Sequence, residues 1–110
     1  MTRKTAIFGA LLMTIATGTG LAEGDATVGE AKAAACAACH GLSGISANPL
    51  YPNLAGQHPG YLINALKAYQ SGGRGDPTMR AMAAPLSNED IDNLANYYSQ
   101  QSCEQEEQIP

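Results

Sequence analysis

Residues 33–41 read "AAACAACHG", which sets Cys36 and Cys39 three apart and His40 directly after the second. Three chemistries use a C-x-x-C pair: a redox disulfide, half of a zinc site, or two thioether bonds to haem. The adjoining histidine favours the third. Two intervening residues let both sulfurs reach one porphyrin edge, and the histidine is then held against the iron as its proximal ligand. A thioredoxin-like disulfide would call for β-strands around the motif, and no strand pattern is convincing. A structural zinc site takes four protein ligands. Cys36, Cys39, His40 and either His58 or the distant Cys103 could only just supply them.

Towards the N-terminus, Arg3 and Lys4 precede the apolar run "AIFGALLMTIA" and the small-residue stretch "TGTGLA". This is the layout of a secretory signal peptide over residues 1–22, cleaved after Ala22. The apolar part is well short of the roughly 20 residues that span a bilayer. Export suits haem attachment, which bacteria normally carry out outside the cytoplasm, and it places the protein in the periplasm.

Removing 22 of the 110 residues leaves 88, enough for one small domain. Four basic residues, Lys32, Lys67, Arg74 and Arg80, then face ten acidic ones, for a net charge of −6. Nucleic acid and anionic membranes are poor partners for such a chain, and a protein with a basic docking face is a better one. The mature chain has no tryptophan and loses its one phenylalanine, Phe8, with the signal. Five tyrosines supply the aromatic area, so a large planar cofactor would give this small core the bulk it lacks.

The rest of the pattern is helical. Asp25 can cap a helix over residues 26–36, with Gly29, Ala33 and Cys36 on one face. Residues 41–57 read as a long irregular loop anchored by Ile45, Leu50, Tyr51 and Leu54, a length that implies wrapping around something. Pro59 suits the first turn of a second helix, with Tyr61, Leu62, Ala65, Leu66 and Tyr69 at helical spacing before Gly72-Gly73. "RGDPTMRAMAAPL" reads as a second irregular stretch. Ser87 opens the last helix, with Asp90 three residues on in capping-box style and Ile91, Leu94, Ala95 and Tyr98 as its buried stripe. Residues 102–110 form an acidic tail. The outline is all-α, with three to four short helices and two long loops.

Three side chains are candidates for the other face of the iron: Met79, Met82 and His58. Methionines often only fill gaps in a core, but these two lie in a stretch where no core stripe is expected. Thioether sulfur favours Fe(II), so a His/Met pair raises the reduction potential. His58 would give a bis-histidine site, although its place before Pro59 suits a surface or capping role better.

Taken together, "CAACHG", "YPNLAGQHPGYL", the paired methionines and "LSNEDIDNLANYYSQQ" resemble a class I cytochrome c. The likeness is to the repeated domain of two-haem bacterial cytochromes of the c-four type and their single-haem relatives, and it covers residues 23–101. It implies three to four short helices wrapped around one covalently bound haem c, with Cys36 and Cys39 carrying the thioethers and His40 the proximal bond. It further implies that Pro52, twelve residues after that histidine, offers its carbonyl to the imidazole. Met79, eight residues before Ser87, would be the axial methionine rather than Met82. A glycine of the first helix would meet an aromatic residue of the last, pairing Gly29 with Tyr97 and Leu94 beside them.

The resemblance implies an electron carrier rather than an enzyme, cycling between Fe(III) and Fe(II) with both axial positions filled and no small-molecule substrate. Leu54, Leu62, Leu66, Met79 and Leu86 are expected to face the haem, and Arg74 or Arg80 to offset a propionate. An electron-transfer subunit of a larger dehydrogenase or oxidase is the alternative, with a haem peroxidase or gas binder further behind. Cys103 has no counterpart in the family pattern and is a free thiol, a route to a disulfide-linked dimer, or a metal or lipid site.

Overall fold

Five helical segments and their connections make up the computed structural model, which describes residues 9, 10 and 24–104. The expected signal peptide lies outside the described residues except for Gly9 and Ala10, as does the tail from residue 105. The helices are α1 (Ala26–Ala33), α2 (Ala37–His40), α3 (Pro59–Ser71), α4 (Pro77–Ala83) and α5 (Asn88–Ser99), and no strand occurs among the described residues.

Asp25 caps α1, its carboxylate accepting from the amides of Thr27 and Val28 at 2.8 and 3.4 Å. The helix is shorter than the run to residue 36 that the sequence predicted. It ends at Ala33, and a tight turn leads into the single-turn α2, which carries Cys39 and His40. The alanines at 33–35 and 37–38 offer no apolar pattern that could fix a boundary, so the turn was not legible.

A second correction concerns the methionines, which lie on α4 and not in an irregular loop. The Asp76 side chain accepts from Met79 N at 2.9 Å and Pro77 occupies the first turn, where its missing N–H costs nothing. Gln70 on α3 holds the far end of α4, donating to the carbonyls of Ala83 and Leu86 at 3.0 and 2.8 Å.

α5 is the centre of the domain, packed by α1 on one side and α3 on the other. Its start is a full capping box, with Ser87 and Asp90 exchanging two bonds of 3.0 Å. Ile91, Leu94, Ala95 and Tyr98 are buried, and so are Asn93 and Tyr97, because the helix is covered on more than one face. With Ala33 and Leu62, the buried residues of its second half form the core cluster. Burying a leucine such as Leu94 contributes about 1.5–3 kcal/mol.

Gly29 sits where α1 crosses α5. A Cβ at this position would run into the Asn93 carbonyl and lie 2.8 Å from the Tyr97 Cβ. The Asn93 side chain reaches back to accept from Asp25 N at 2.7 Å.

Residues 41–58 carry no helix or strand and are held by single bonds. Gly44 O accepts from both Leu54 N and Ala55 N, at 2.7 and 3.1 Å, and Tyr98 O accepts from Gly56 N at 2.9 Å. Of the expected apolar anchors, Leu50 is 83% exposed, and Tyr51, 38% exposed, sets its ring 6.3 Å from that of His40. Leu54 alone of the four packs against the core cluster.

Candidate cofactor site

Cys36, Cys39 and His40 open onto a cavity of about 460 Å³ whose walls come from α2, the 41–58 loop, α3, α4 and α5. Its volume falls within the ordinary range for cofactor pockets, about 300–1,000 Å³. The walls are mostly apolar, with Leu54 from the loop, Leu62 and Leu66 from α3, and Leu94 and Ala95 from α5.

His40 is buried, and its Nδ1 lies 2.8 Å from Pro52 O. A carbonyl can only accept, so Nδ1 carries the hydrogen of the neutral ring and Nε2 keeps its lone pair. This is the state a metal-binding imidazole requires. Pro52 is presented by a loop pinned on either side, with Asn53 Oδ1 accepting from Ser46 N at 2.7 Å and Ser46 Oγ donating to Cys39 O at 3.1 Å.

Met79 and Met82 line the same cavity, three residues apart on α4. Met79 is half-buried, whereas Met82 is 41% exposed. The cavity therefore brings together two thiols, one oriented imidazole and two thioether sulfurs. Among the described residues no group of three or more His, Cys, Asp or Glu side chains could hold a bare metal ion.

Burial pushes the Cys36 thiol above its ordinary range, Cys39 adding to the shift and the Tyr98 hydroxyl opposing it. Tyr98 is itself raised, first by burial and then by the charge of Cys36. Its hydroxyl is buried without a hydrogen-bond partner.

Residues 23–102 match the family described as cytochrome c. The chain belongs to the cytochrome c family. Cytochrome c-554(548) of Halomonas halodenitrificans is 48% identical over 81 residues, covering 71% of this chain and 98% of that one. Cytochrome c4 of Stutzerimonas stutzeri is 41% identical over 101 residues, covering 83% of this chain and 48% of that one. The crystal structure of reduced recombinant cytochrome c4 from Pseudomonas stutzeri superposes with a TM-score of 0.69 at 40% identity, covering 72% of this chain and 46% of that one. The chain thus spans about half the length of the cytochrome c4 relatives it matches.

Membership of the cytochrome c family implies covalent haem c, and the donor set fits that group: paired thiols beside an oriented imidazole, on walls suited to a planar apolar ring. Not every residue named from the sequence lies on these walls. Leu86 packs against the core instead, and His58 and Arg80 are absent from the lining. Cys103 is free and exposed, beside Gly56.

The sequence names Arg74, the cavity's one Lys or Arg side chain, as a propionate partner, but it singles out neither Tyr98 as a wall residue nor the tyrosines that hold Arg74. Arg74 stands 4.9 Å over the Tyr69 ring, and the Tyr61 hydroxyl, then Tyr69, hold its charge in place. Tyr61 and Tyr69 read in the sequence only as part of a helix face. Their eight-residue spacing, which stacks them on one side of α3, was the available signal.

Proposed function

We propose that the mature protein begins after residue 22, occupies residues 23–101 as one domain, and works in the periplasm as an electron carrier. It would hold a single haem c through Cys36 and Cys39, with His40 and Met79 as axial ligands. The haem supplies a one-electron Fe(III)/Fe(II) couple. Everything else the chain does is to hold that group still and dry, which lowers the cost of reorganisation on electron transfer.

The observation that carries this reading is that His40, its Nδ1 committed to Pro52, shares one apolar cavity with Met79. An imidazole with a free Nε2 on one wall and a soft sulfur on another would fill both axial positions and leave no open site for a substrate. Met79 is preferred to Met82 because it is the less exposed of the two. Arg74, fixed over Tyr69, supplies positive charge on the cavity wall to offset a propionate.

Partners would be redox proteins with basic faces. Asp25, Glu89 and Asp92 border one hollow at the α1–α5 end, and Asp76 is the one acidic side chain on the cavity wall. The acidic end would steer a basic partner by long-range attraction, while the nearly uncharged cavity margin makes the contact. Among the described residues no helix is long and apolar enough to cross a membrane.

Visible spectra of the oxidised and dithionite-reduced protein, matured in cells that assemble c-type cytochromes, test the reading. A sharp low-spin reduced spectrum and a weak far-red band in the oxidised form are expected, with no carbon monoxide binding to the ferrous protein. Absence of haem from the protein in such cells would overturn it, and ready carbon monoxide binding would move the function to an open-site haem protein.

A further inference from the structure

Tyr97 and Tyr98 are neighbours on α5 with opposite fates. The Tyr97 hydroxyl donates to Leu42 O at 3.2 Å. The Tyr98 hydroxyl is the one buried side-chain nitrogen or oxygen without a hydrogen-bond partner among the described residues. Such a group loses its hydration and receives nothing in return, and a phenylalanine would fill the same volume without that loss.

Nor can the ring swing away to reach water. Tyr98 is 3% exposed. Its carbonyl is tied to Gly56 N and Gln101 N, at 2.9 and 3.1 Å. Its ring lies against Gly44, where a Cβ would stand 2.9 Å from Cδ1, and 5.0 Å from the Tyr97 ring between centroids. Gly44 has a φ of +85°, so a bulkier residue is excluded there by conformation as well as by space.

The polar group that shares this corner of the cavity is the Cys36 sulfur. Cys36 packs against the cluster that contains Tyr98, both line the cavity, and each shifts the ionisation of the other. The two side chains already interact while Cys36 is a free thiol, the phenol lowering the thiol's pKa and the sulfur raising the phenol's, although the contact falls short of full hydrogen-bond geometry.

We propose that the Tyr98 hydroxyl is the hydrogen-bond donor to the Cys36 sulfur in the haem-loaded protein, and that this bond raises the reduction potential. The inference rests on Cys36 being a haem attachment point. A thioether sulfur has lone pairs and no hydrogen, so the phenol must donate. Its O–H dipole then points its positive end at the edge of the cofactor. Positive potential there disfavours the ferric state, which carries one more charge than the ferrous, and the low dielectric of the site strengthens the effect. Tyr98 is thus a positioning and tuning residue that makes no bond to iron.

The test compares wild-type holoprotein with Tyr98→Phe and with a 3-fluorotyrosine at position 98, a stronger donor of nearly the same size. Three measurements apply: haem retention on a denaturing gel, potentiometric titration, and the resonance Raman C–S stretching bands. Equal haem retention in all three proteins is expected. Tyr98→Phe should shift the Fe(III)/Fe(II) equilibrium at least threefold towards ferric and move one C–S band, and the fluorotyrosine should move both the other way. A potential unchanged in Tyr98→Phe, or a shifted potential with both C–S bands unmoved, overturns the proposal. If Tyr98→Phe matures poorly, the fluorotyrosine protein alone decides by the sign of its shift. Haem lost from the wild type on the gel would instead show that the attachment itself is wrong, and the proposal would fall with it.

Discussion

The His40 imidazole is tied to the Pro52 carbonyl at 2.8 Å, across twelve residues of chain that contain no regular structure beyond the end of α2. The orientation of the buried ring therefore depends on how well an irregular loop keeps its shape.

Asn53 is the side chain to remove in testing that dependence, because its Oδ1 closes the loop on Ser46 N at 2.7 Å. Asn53→Ala should cost about 1 kcal/mol in urea unfolding. It should also speed exchange of the His40 Nδ1 proton, followed by NMR. An unchanged exchange rate would mean that the loop is held elsewhere.

Gly29→Ala should destabilise the protein by on the order of 1–3 kcal/mol, through overpacking at the α1–α5 crossing. What the new methyl meets is the Asn93 backbone and the Tyr97 Cβ, neither of which can move without spreading the helices. The urea midpoint reads the loss, and a midpoint equal to wild type would show that the crossing can open at no cost.

Met79→Ala should abolish the far-red band of the oxidised protein and lower its potential, whereas Met82→Ala should keep the band. Both residues line the cavity, but Met82 is 41% exposed. Persistence of the band in Met79→Ala would transfer the axial role to Met82.

Asp90 gives the fold an acid limb. The Ser87 backbone N–H bond to its carboxylate, with Lys32 as a further partner at 3.3 Å, lowers its pKa. A lowered folded pKa means that the contribution is complete above the unfolded value, about 3.9 for aspartate, and fades as pH falls through the folded value. Asp90→Asn should therefore lie below wild type in urea midpoint at pH 6, with the gap closing towards pH 3. A gap constant over that range would remove the linkage.

Electron transfer to a basic partner should slow as salt is added, since the attraction comes from carboxylates such as exposed Glu89 and half-buried Asp92. Stopped-flow rates at several ionic strengths measure this, and a flat dependence would rule out the acidic end as a steering surface.

The all-α fold and the family were legible because their signals are local. Ser87 with Asp90 opens α5, Pro59 opens α3, and the apolar spacing of α5 gives its buried stripe. α4 escaped because seven residues are too few for a periodicity, and the glycines and proline around Asp76 look like a loop until Asp76 is recognised as a cap. Leu50 and Tyr51 border the cavity and not the core cluster, and loop 41–58 is fastened by Leu54 together with polar side chains and backbone carbonyls that no apolar pattern reveals. In the cavity, the motif residues were visible as a linear pattern. In the wall made by Tyr61, Tyr69, Arg74 and Tyr98, the spacing of the two α3 tyrosines is the one local signal, and Arg74 and Tyr98 join them from separate segments only in the fold.

The clamp between the two ends of the domain bears on how the chain folds. Gly24 O accepts from Asn96 Nδ2 at 3.2 Å, and Asp25 N donates to Asn93 across 68 positions. Bringing these ends together incurs nearly the full closure entropy of the domain before any return, although that cost grows only with the logarithm of loop length. α1 has eight residues and little apolar face of its own, so it has scant stability until α5 is there to receive it. The crossing at Gly29 should then form late and all at once, and a nick or truncation at either end should abolish the cooperative transition instead of fraying one helix.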